Sequence, residues 1–331
     1  MNMKKTNNMS DKSQMQSTLV QVAHLYYNEN LSQQKIADYL GVSRSLIAQY
    51  LQNARETGIV RIQICDPDNA CENLTSSLKK ETGIKFLKVI PTPRGSQELV
   101  LRAVGADAAE FVTNNLRDGD TLGLAWGRTT SLVVNLLQTP HASRLKVLPL
   151  LGESAHSGNY SQMNQLVVRA AERIGASPQF LSLPIFVSSA ELRSVLEKEE
   201  GICNVIKGWD RINLACAGIG VVPPVSGMVV YIGQEHLPPL INAGAVGDIC
   251  GTYYDREGNI IKSGFEDRFI GVSVKQMKAV NCMVAVACGE EKAIAVLGAL
   301  RTGLLSALFI DQRLAERILA EIRSADRRKK Q

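Results

Sequence analysis

The chain has 331 residues, 45% of them hydrophobic and 21% charged, and a formal net charge of +5. This is the composition of a soluble globular protein with room for one small and one medium domain. No stretch approaches the roughly 18 consecutive apolar residues of a membrane helix, and the polar opening segment has no apolar core to make it a secretory signal.

The seven cysteines are scattered, odd in number and without a C-x-x-C pair. They read as reduced core thiols of a cytoplasmic protein, not as disulfides or a metal site. The basic excess sits at the two ends of the chain, in residues 1–64 and in the last six, while the long middle is close to neutral. Such placement fits one end meeting phosphates, although the C-terminal run also reads as a plain solvated tail.

In chain order, residues 1–16 read as a flexible arm and 17–65 as a small helical domain. Ser17 to Asn28 forms a first helix, with Leu19, Val22, Ala23, Tyr26 and Tyr27 inward. Ser32 is a good N-cap for a second helix, Gln33 to Leu40, and Gly41 supplies the left-handed backbone of a tight turn. Ser43 caps a third helix from Arg44 to about Glu56. Two short helices joined by such a turn make a helix-turn-helix. The third helix has an apolar side of Leu46, Ile47, Tyr50, Leu51 and Ala54. Its other side is Arg44, Ser45, Ala48, Gln49, Gln52, Asn53 and Arg55.

That polar side is the informative one. Gln and Asn pair bidentately with adenine, Arg pairs with guanine, and Ala48 leaves room for close approach. A merely solvated face of a helical bundle is usually richer in Glu and Lys, and here Glu56 is the single acid. The expected DNA-contacting set is Gln33, Ser43, Arg44, Ser45, Ala48, Gln49, Gln52 and Asn53. Ile59 to Ile64 alternates as a strand and reads as a wing whose Arg61 reaches a phosphate. Asp66-Pro67-Asp68-Asn69 lies in a linker over 66–72.

From residue 73 to 322 strand-like runs alternate with helical segments. The expected strands are Phe86–Ile90, Thr121–Ala125, Lys146–Leu151, Gln179–Leu183, Asn213–Ala217, Ile249–Tyr254, Asn281–Ala287 and Leu305–Ile310. The expected helices include Glu98–Leu116, Thr130–Leu137, Gln162–Ile174, Glu191–Glu199 and Glu291–Leu300. This spacing predicts a doubly wound α/β domain with a mostly parallel sheet, followed by a basic tail over 323–331. Tyr254 to Asn259, followed by Ile260-Ile261, reads as a hairpin insert.

Ligands of open α/β sheets bind beyond the carboxyl ends of the strands. The strongest such end is Gly127-Arg128-Thr129-Thr130, where a strand passes through glycine into a helix whose N–H groups suit a phosphate. Alone, the segment is equally a capped strand–helix turn, and it is not a Walker A loop. Gly152 ends the next strand, and Gln162 and Asn164 open a helix where they can hold sugar hydroxyls. Asp248 stands at the mouth of a strand. Lys292 lies near a helix N-terminus, where a cation needs an anionic partner. No nucleophile–base pair, metal spacing or cofactor signature emerges, so no catalytic residue, cofactor or metal is expected.

The segments Leu25-Tyr26-Tyr27, Leu31-Ser32-Gln33-Gln34, Gly58-Ile59-Val60-Arg61-Ile62, Leu122 to Thr129, Ala245 to Cys250, Tyr253 to Asn259 and Cys288 to Ala293 stand in a telling order. Together they resemble the SorC/DeoR-type bacterial regulators of the sugar-responsive class, over nearly the whole chain. The resemblance implies a winged helix-turn-helix joined to an effector domain similar to glucosamine-6-phosphate deaminase and ribose-5-phosphate isomerase. It implies dimers or tetramers, operator DNA as partner and a phosphorylated sugar as effector. It places Gly127, Arg128, Thr129 and Thr130 at the phosphate, and Gly152, Gln162 and Asn164 near the sugar body. It has Asp248 accepting hydroxyls and Lys292 reaching the phosphate. Glu153 stands where some relatives have a second glycine, so either the ligand is less phosphorylated or Glu153 points away. A sugar-phosphate isomerase or deaminase with a regulatory N-terminal domain is the rival reading, and fold alone does not decide between them.

Overall fold

The structure is a computed structural model that describes residues 16–60, 70–92, 96–153, 162–222 and 236–329. The chain divides into two compact units, residues 1–65 and 66–331. The expected arm over 1–16 except Gln16, the expected wing from Arg61 onward and the hinge at 66–69 fall outside the described residues, and Gln16 already belongs to the first helix.

In the first unit, α1 spans residues 16–27, α2 Gln33–Leu40 and α3 Arg44–Glu56. The Ser32 hydroxyl accepts from the Lys35 N–H at the start of α2, and Ser43 does the same for Leu46 at α3. Gly41 has φ 68° and sends its N–H back to the Ala37 carbonyl, closing α2 in a left-handed cap. The three helices share a core of Val22, Ile36, Ala37, Ile47 and Leu51. Leu19, Ala23 and Ala54 form a second small cluster. Leu46 and Tyr50 are only half-buried. Arg44, Ser45, Gln49, Gln52 and Arg55 face solvent, because the core uses the opposite side of α3.

The second unit opens with α4 (Ala70–Thr82) and β1 (Phe86–Ile90), then α5 (Gln97–Asn115), β2 (Thr121–Leu124) and α6 (Arg128–Leu136). β3 (Lys146–Pro149), α7 (Met163–Ile174) and β4 (Ser177–Pro178) follow, then α8 (Ala190–Leu196), α9 (Glu200–Gly208), β5 (Leu214–Gly218) and β6 (Gly220–Val221). The rest is α10 (Leu237–Asn242), β7 (Gly247–Ile249), β8 (Thr252–Tyr254), α11 (Val274–Ala279), β9 (Cys282–Ala287), α12 (Ala293–Arg301), β10 (Ala307–Asp311) and α13 (Gln312–Lys329).

Seven strands form one sheet in the order β1-β10-β9-β5-β2-β3-β4, and every pair in it is parallel. Both faces are covered, as all-parallel sheets require. The period of two along β9 decides which residue goes where. Met283, Ala285 and Ala287 join one core with α12 and α13, while Val284 and Val286 join the other with α5, α6 and α7. From β2 the chain winds outward through β3 and β4. From its neighbour β5 it winds the other way, through β9 and β10. The carboxyl ends of β2 and β5 therefore part at a topological switch point, where such sheets leave a crevice.

Two expected strands need correction. The run from Ile249 to Tyr254 is not one strand but the two-strand turn of a small antiparallel sheet, β6-β7-β8. Cys250 and Gly251 have φ 51° and 74°, so a two-residue reversal cuts the run. The segment 179–183 is not a strand either, and β4 ends at Pro178. The Asn164 amide takes both backbone groups of Leu181, accepting its N–H and donating to its carbonyl, in place of a strand neighbour. The expected insert after β8 is present as a bridge between Tyr254 and Ile260.

Candidate functional site

A cavity of about 180 Å³ lies at the switch point. The ends of β2 and β5 bring Ala125 to Thr129 to one side of it and Gly218 to Gly220 to the other, and Asp248, Cys250 and Lys292 close it. Of the nine residues expected to hold an effector, Gly127, Arg128, Thr129, Asp248 and Lys292 meet here, although 165 positions separate the ends of that set.

Gly127 is the N-cap of α6 with φ 139°, a backbone that L side chains rarely adopt. The first N–H groups of α6, which have no intrahelical acceptors, therefore open next to the cavity. Arg128 is exposed at the rim and Thr129 is buried against it. Thr130 lies behind the lining, 1% exposed, and its hydroxyl has no hydrogen-bond partner among the described residues.

Asp248 is a carboxylate only 7% exposed. One oxygen accepts the Gly251 N–H at 3.2 Å, and the other lies so close to Gly220 that a methyl group there would collide with it. The paired register of Gly220 and Asp248 across β6 and β7 makes this approach unavoidable. On β8, Tyr254 is wholly buried, and its hydroxyl has no partner among the described residues. Burial first, and then the Asp248 charge, push that phenol well above its usual range.

Lys292 follows β9 in a short 3-10 turn, and its Nζ donates to the Ile219 carbonyl at 3.0 Å. Burial lowers its pKa below the ordinary lysine value of 10.5, and the Arg128 charge adds to that fall, while Cys288, Glu291 and Asp248 oppose it. Arg128 and Lys292 thus both face the cavity, and the lysine does so against the cost of its own burial. Cys288, next to this turn, has its thiol pushed up to about 12, chiefly by burial and then by Asp311. Cys250, in the cavity wall, is raised by burial first and by Asp248 second. Neither thiol has the depressed pKa of a nucleophile.

Three expected residues stand elsewhere. A methyl on Gly152 would sit 2.7 Å from the Pro184 carbonyl oxygen, so this glycine serves the close passage of chain at 184–185 rather than the cavity. Gln162 precedes α7, exposed, and its side chain makes no capping bond. Asn164 is committed to Leu181. Glu153 explains the arrangement. Its two oxygens accept the Met163 and Asn164 N–H groups at 2.9 and 2.7 Å, so the acid points away from the cavity and caps α7.

Sequence reasoning missed Leu151 and Cys250 in the wall, and Asp311 beside Cys288 and Gly289. Asp311 is 2% exposed at the end of β10. It accepts from Gly289 at 2.8 Å and from Leu314 at 3.2 Å, so it holds the loop carrying Lys292 and caps α13 at once. The only sequence signal was an acid directly after an apolar strand.

No helix among the described residues is long and apolar enough to cross a membrane, and those residues contain no cluster of metal-ligating side chains. Residues 66–320 match the family described as "Putative sugar-binding domain". Over 309 residues the chain is 29% identical to the deoxyribonucleoside regulator of Bacillus subtilis (strain 168), covering 93% of this chain and 98% of that one. It is 28% identical to the sorbitol operon regulator of Klebsiella pneumoniae, covering 91% and 97%. The crystal structure of the full-length sorbitol operon regulator SorC from Klebsiella pneumoniae superposes with a TM-score of 0.76 at 27% identity, covering 92% of this chain and 98% of that one. These relatives are regulators, not enzymes.

Proposed function

The chain belongs to the sugar-binding-domain family of transcriptional regulators, and from that premise we propose that it is a cytoplasmic, DNA-binding regulator of a carbohydrate-use operon, released or engaged by a phosphorylated sugar or polyol. The observation that carries this reading is the meeting of Gly127, Arg128, Thr129, Asp248 and Lys292 in one cavity at the switch point.

The cavity carries two chemistries. The helix N-terminus, Arg128 and Lys292 offer N–H groups and positive charge to an anionic oxygen cluster. The Asp248 carboxylate and the backbone at Gly218 to Gly220, against which Lys292 rests, suit the hydroxyl groups of a small polyol. An arriving phosphate competes with the Ile219 carbonyl for Lys292. Because Ile219 joins β5 to β6, that exchange is felt in the β6-β7-β8 sheet.

In the first unit, α2 and α3 act as a helix-turn-helix with α3 in the major groove and Gln33, Ser43, Arg44, Ser45, Ala48, Gln49, Gln52 and Asn53 toward the DNA. Arg61 adds a phosphate contact. A dimer or tetramer presents two such helices, so the operator is near-palindromic. The effector acts by linkage, binding one arrangement better than the other. A ten-fold change in operator affinity needs only about 1.4 kcal/mol of difference.

The test is a titration of fragments of the surrounding regulatory DNA, with and without a panel of sugar phosphates, polyol phosphates and free sugars. Thermal stability is read in parallel, since a true ligand raises Tm by mass action. A phosphorylated compound is expected to raise Tm and shift operator affinity. Free sugars matching their phosphates in effect would overturn the anion assignment, and absence of any specific DNA binding would overturn the regulator.

A further inference from the structure

A second cavity, of about 190 Å³, lies on the other side of the β7–β8 turn. It has no counterpart in the proposed effector chemistry. Tyr253, Phe265, Phe269, Ile260, Ile261 and Val274 make its apolar wall. The charged groups at its edge are already used. The Arg193 side chain donates to the Glu197 carboxylate at 2.6 Å and to the Glu266 carbonyl at 2.7 Å. The Glu266 carboxylate accepts from the Ser263 and Gly264 N–H groups. Ser273 is engaged with Gln276 in the capping box of α11. The first cavity presents Arg128, Lys292 and Asp248, whereas this one presents ring faces and aliphatic carbons with its ions paired off. A guest here is therefore uncharged.

The two cavities share a thin wall. Cys250 lines the first and Gly251, the next residue, lines the second. Gly251 has φ 74°, and a methyl group on it would run into the Phe269 ring. Gly271 also lines the second cavity and bridges to Leu151, which lines the first. A methyl on Gly271 would again meet Phe269, and also Leu151 at 2.7 Å. Phe269 thus rests on both strands of chain that separate the cavities. Cys250 is a non-glycine residue at φ 51°, held in a left-handed turn only by what packs around it.

We propose that this second cavity is a binding site for a neutral, ring-sized, largely apolar molecule, and that its occupant is coupled to the cation-lined cavity through Phe269 and the Cys250–Gly251 turn. A guest behind Phe269 fixes the ring against Gly251, and the turn that follows Asp248 is then already in place when an anion binds in front. Binding at the two sites is mutually favourable. Room for a benzene-sized guest is ample, since an apolar cavity of roughly 150 Å³ accepts one. The coupling half rests on the effector reading above; the site itself does not.

The experiment uses the full chain, phenol as probe of the second cavity and inorganic phosphate as probe of the first. Phenol binding is measured by saturation-transfer NMR and calorimetry on the natural chain and on Val274→Phe, whose ring fills the space. Ile260→Trp, at a residue already 40% exposed, is the second filling variant should the first not fold. Phenol is expected to bind the natural chain, to bind Arg128→Ala equally well, and to be lost from the filled variant. Absence of binding, or binding that survives the filling, overturns the site. With phenol present, the phosphate Kd is expected to fall by about five-fold or more, the lower range of ordinary coupling. A phosphate Kd unmoved by bound phenol overturns the coupling. Failure of phosphate to bind in the absence of phenol strikes the effector reading and leaves the phenol result standing.

Discussion

The small helical unit and the large α/β unit place their functional residues by different means. In the first, one helix carries most of the proposed contacts: the 3.6-residue period that buries Ile47, Leu51 and Ala54 also puts Arg44, Ser45, Gln49 and Gln52 in solvent on the far side. In the second, no single element owns the site. Gly127 to Thr129 come from the end of β2, Asp248 from a small separate sheet and Lys292 from the turn after β9. Their meeting depends on the strand order. A local surface tolerates change one residue at a time, while an assembled cavity depends on residues that never touch a ligand.

Lys292→Ala is the harshest way to separate the two units. It removes a charge-assisted contact of about 1.5–3 kcal/mol, so effector affinity should fall by roughly 10- to 150-fold with operator affinity in the absence of effector unchanged. A direct titration of sugar phosphate, paired with a DNA titration, reads both. An unchanged effector response would remove Lys292 from the site.

Gln49→Ala probes the other unit. Loss of one bidentate base contact costs about 1–3 kcal/mol at the specific operator and nothing on unrelated DNA. Equal losses on both, in parallel fluorescence titrations, would make α3 a backbone binder instead of a base reader.

The pH profile gives a gentler comparison. Lys292 has a lowered pKa because the folded chain disfavours its charged form. An anion stabilises that charge, so binding takes up a proton above the free-state pKa, and effector affinity declines as pH rises through it. The decline should begin below the value for an ordinary lysine, and Lys292→Arg should flatten it, since arginine stays charged. Calorimetry across alkaline pH reads this, and a profile identical in the arginine variant would assign the titration elsewhere. By the same linkage, the lowered pKa makes the folded state gain stability as pH rises through the window between the folded value and 10.5.

The smallest expected effect is at Ser43→Ala. Its hydroxyl accepts the Leu46 N–H, and such a cap is worth about 1 kcal/mol. Thermal unfolding of the first unit should shift by roughly 4–8 °C while effector binding in the second stays the same. A larger shift would mean that the hydroxyl contact with Ser45 also supports the turn.

Much is legible in the residues alone. Both caps and the left-handed Gly41 of the first unit follow from local chemistry that needs no distant partner. So do the two faces of α3, and most strands of the sheet. Gly152, Gln162 and Asn164 carry the residue types of a sugar site, yet Gly152 lies against the backbone at 184–185, Asn164 is bonded to Leu181, and Gln162 is exposed beside a helix start that Glu153 caps. Glu153 stands where some relatives have a second glycine, and its two bonds to the α7 N–H groups supply its reason.

Sequence by itself determined the local forms of this protein: which stretches coil, which extend, where the chain turns, and which side of α3 meets water. Those depend on spacing and backbone preference within a few residues. Tertiary structure alone decided which strand ends come together, that Asp248 presses on Gly220, that Asp311 holds the Lys292 loop, and that a second cavity backs onto the first. The reason is that a cavity is the space left where two windings of one sheet diverge, and no run of neighbouring residues encodes the order of its strands.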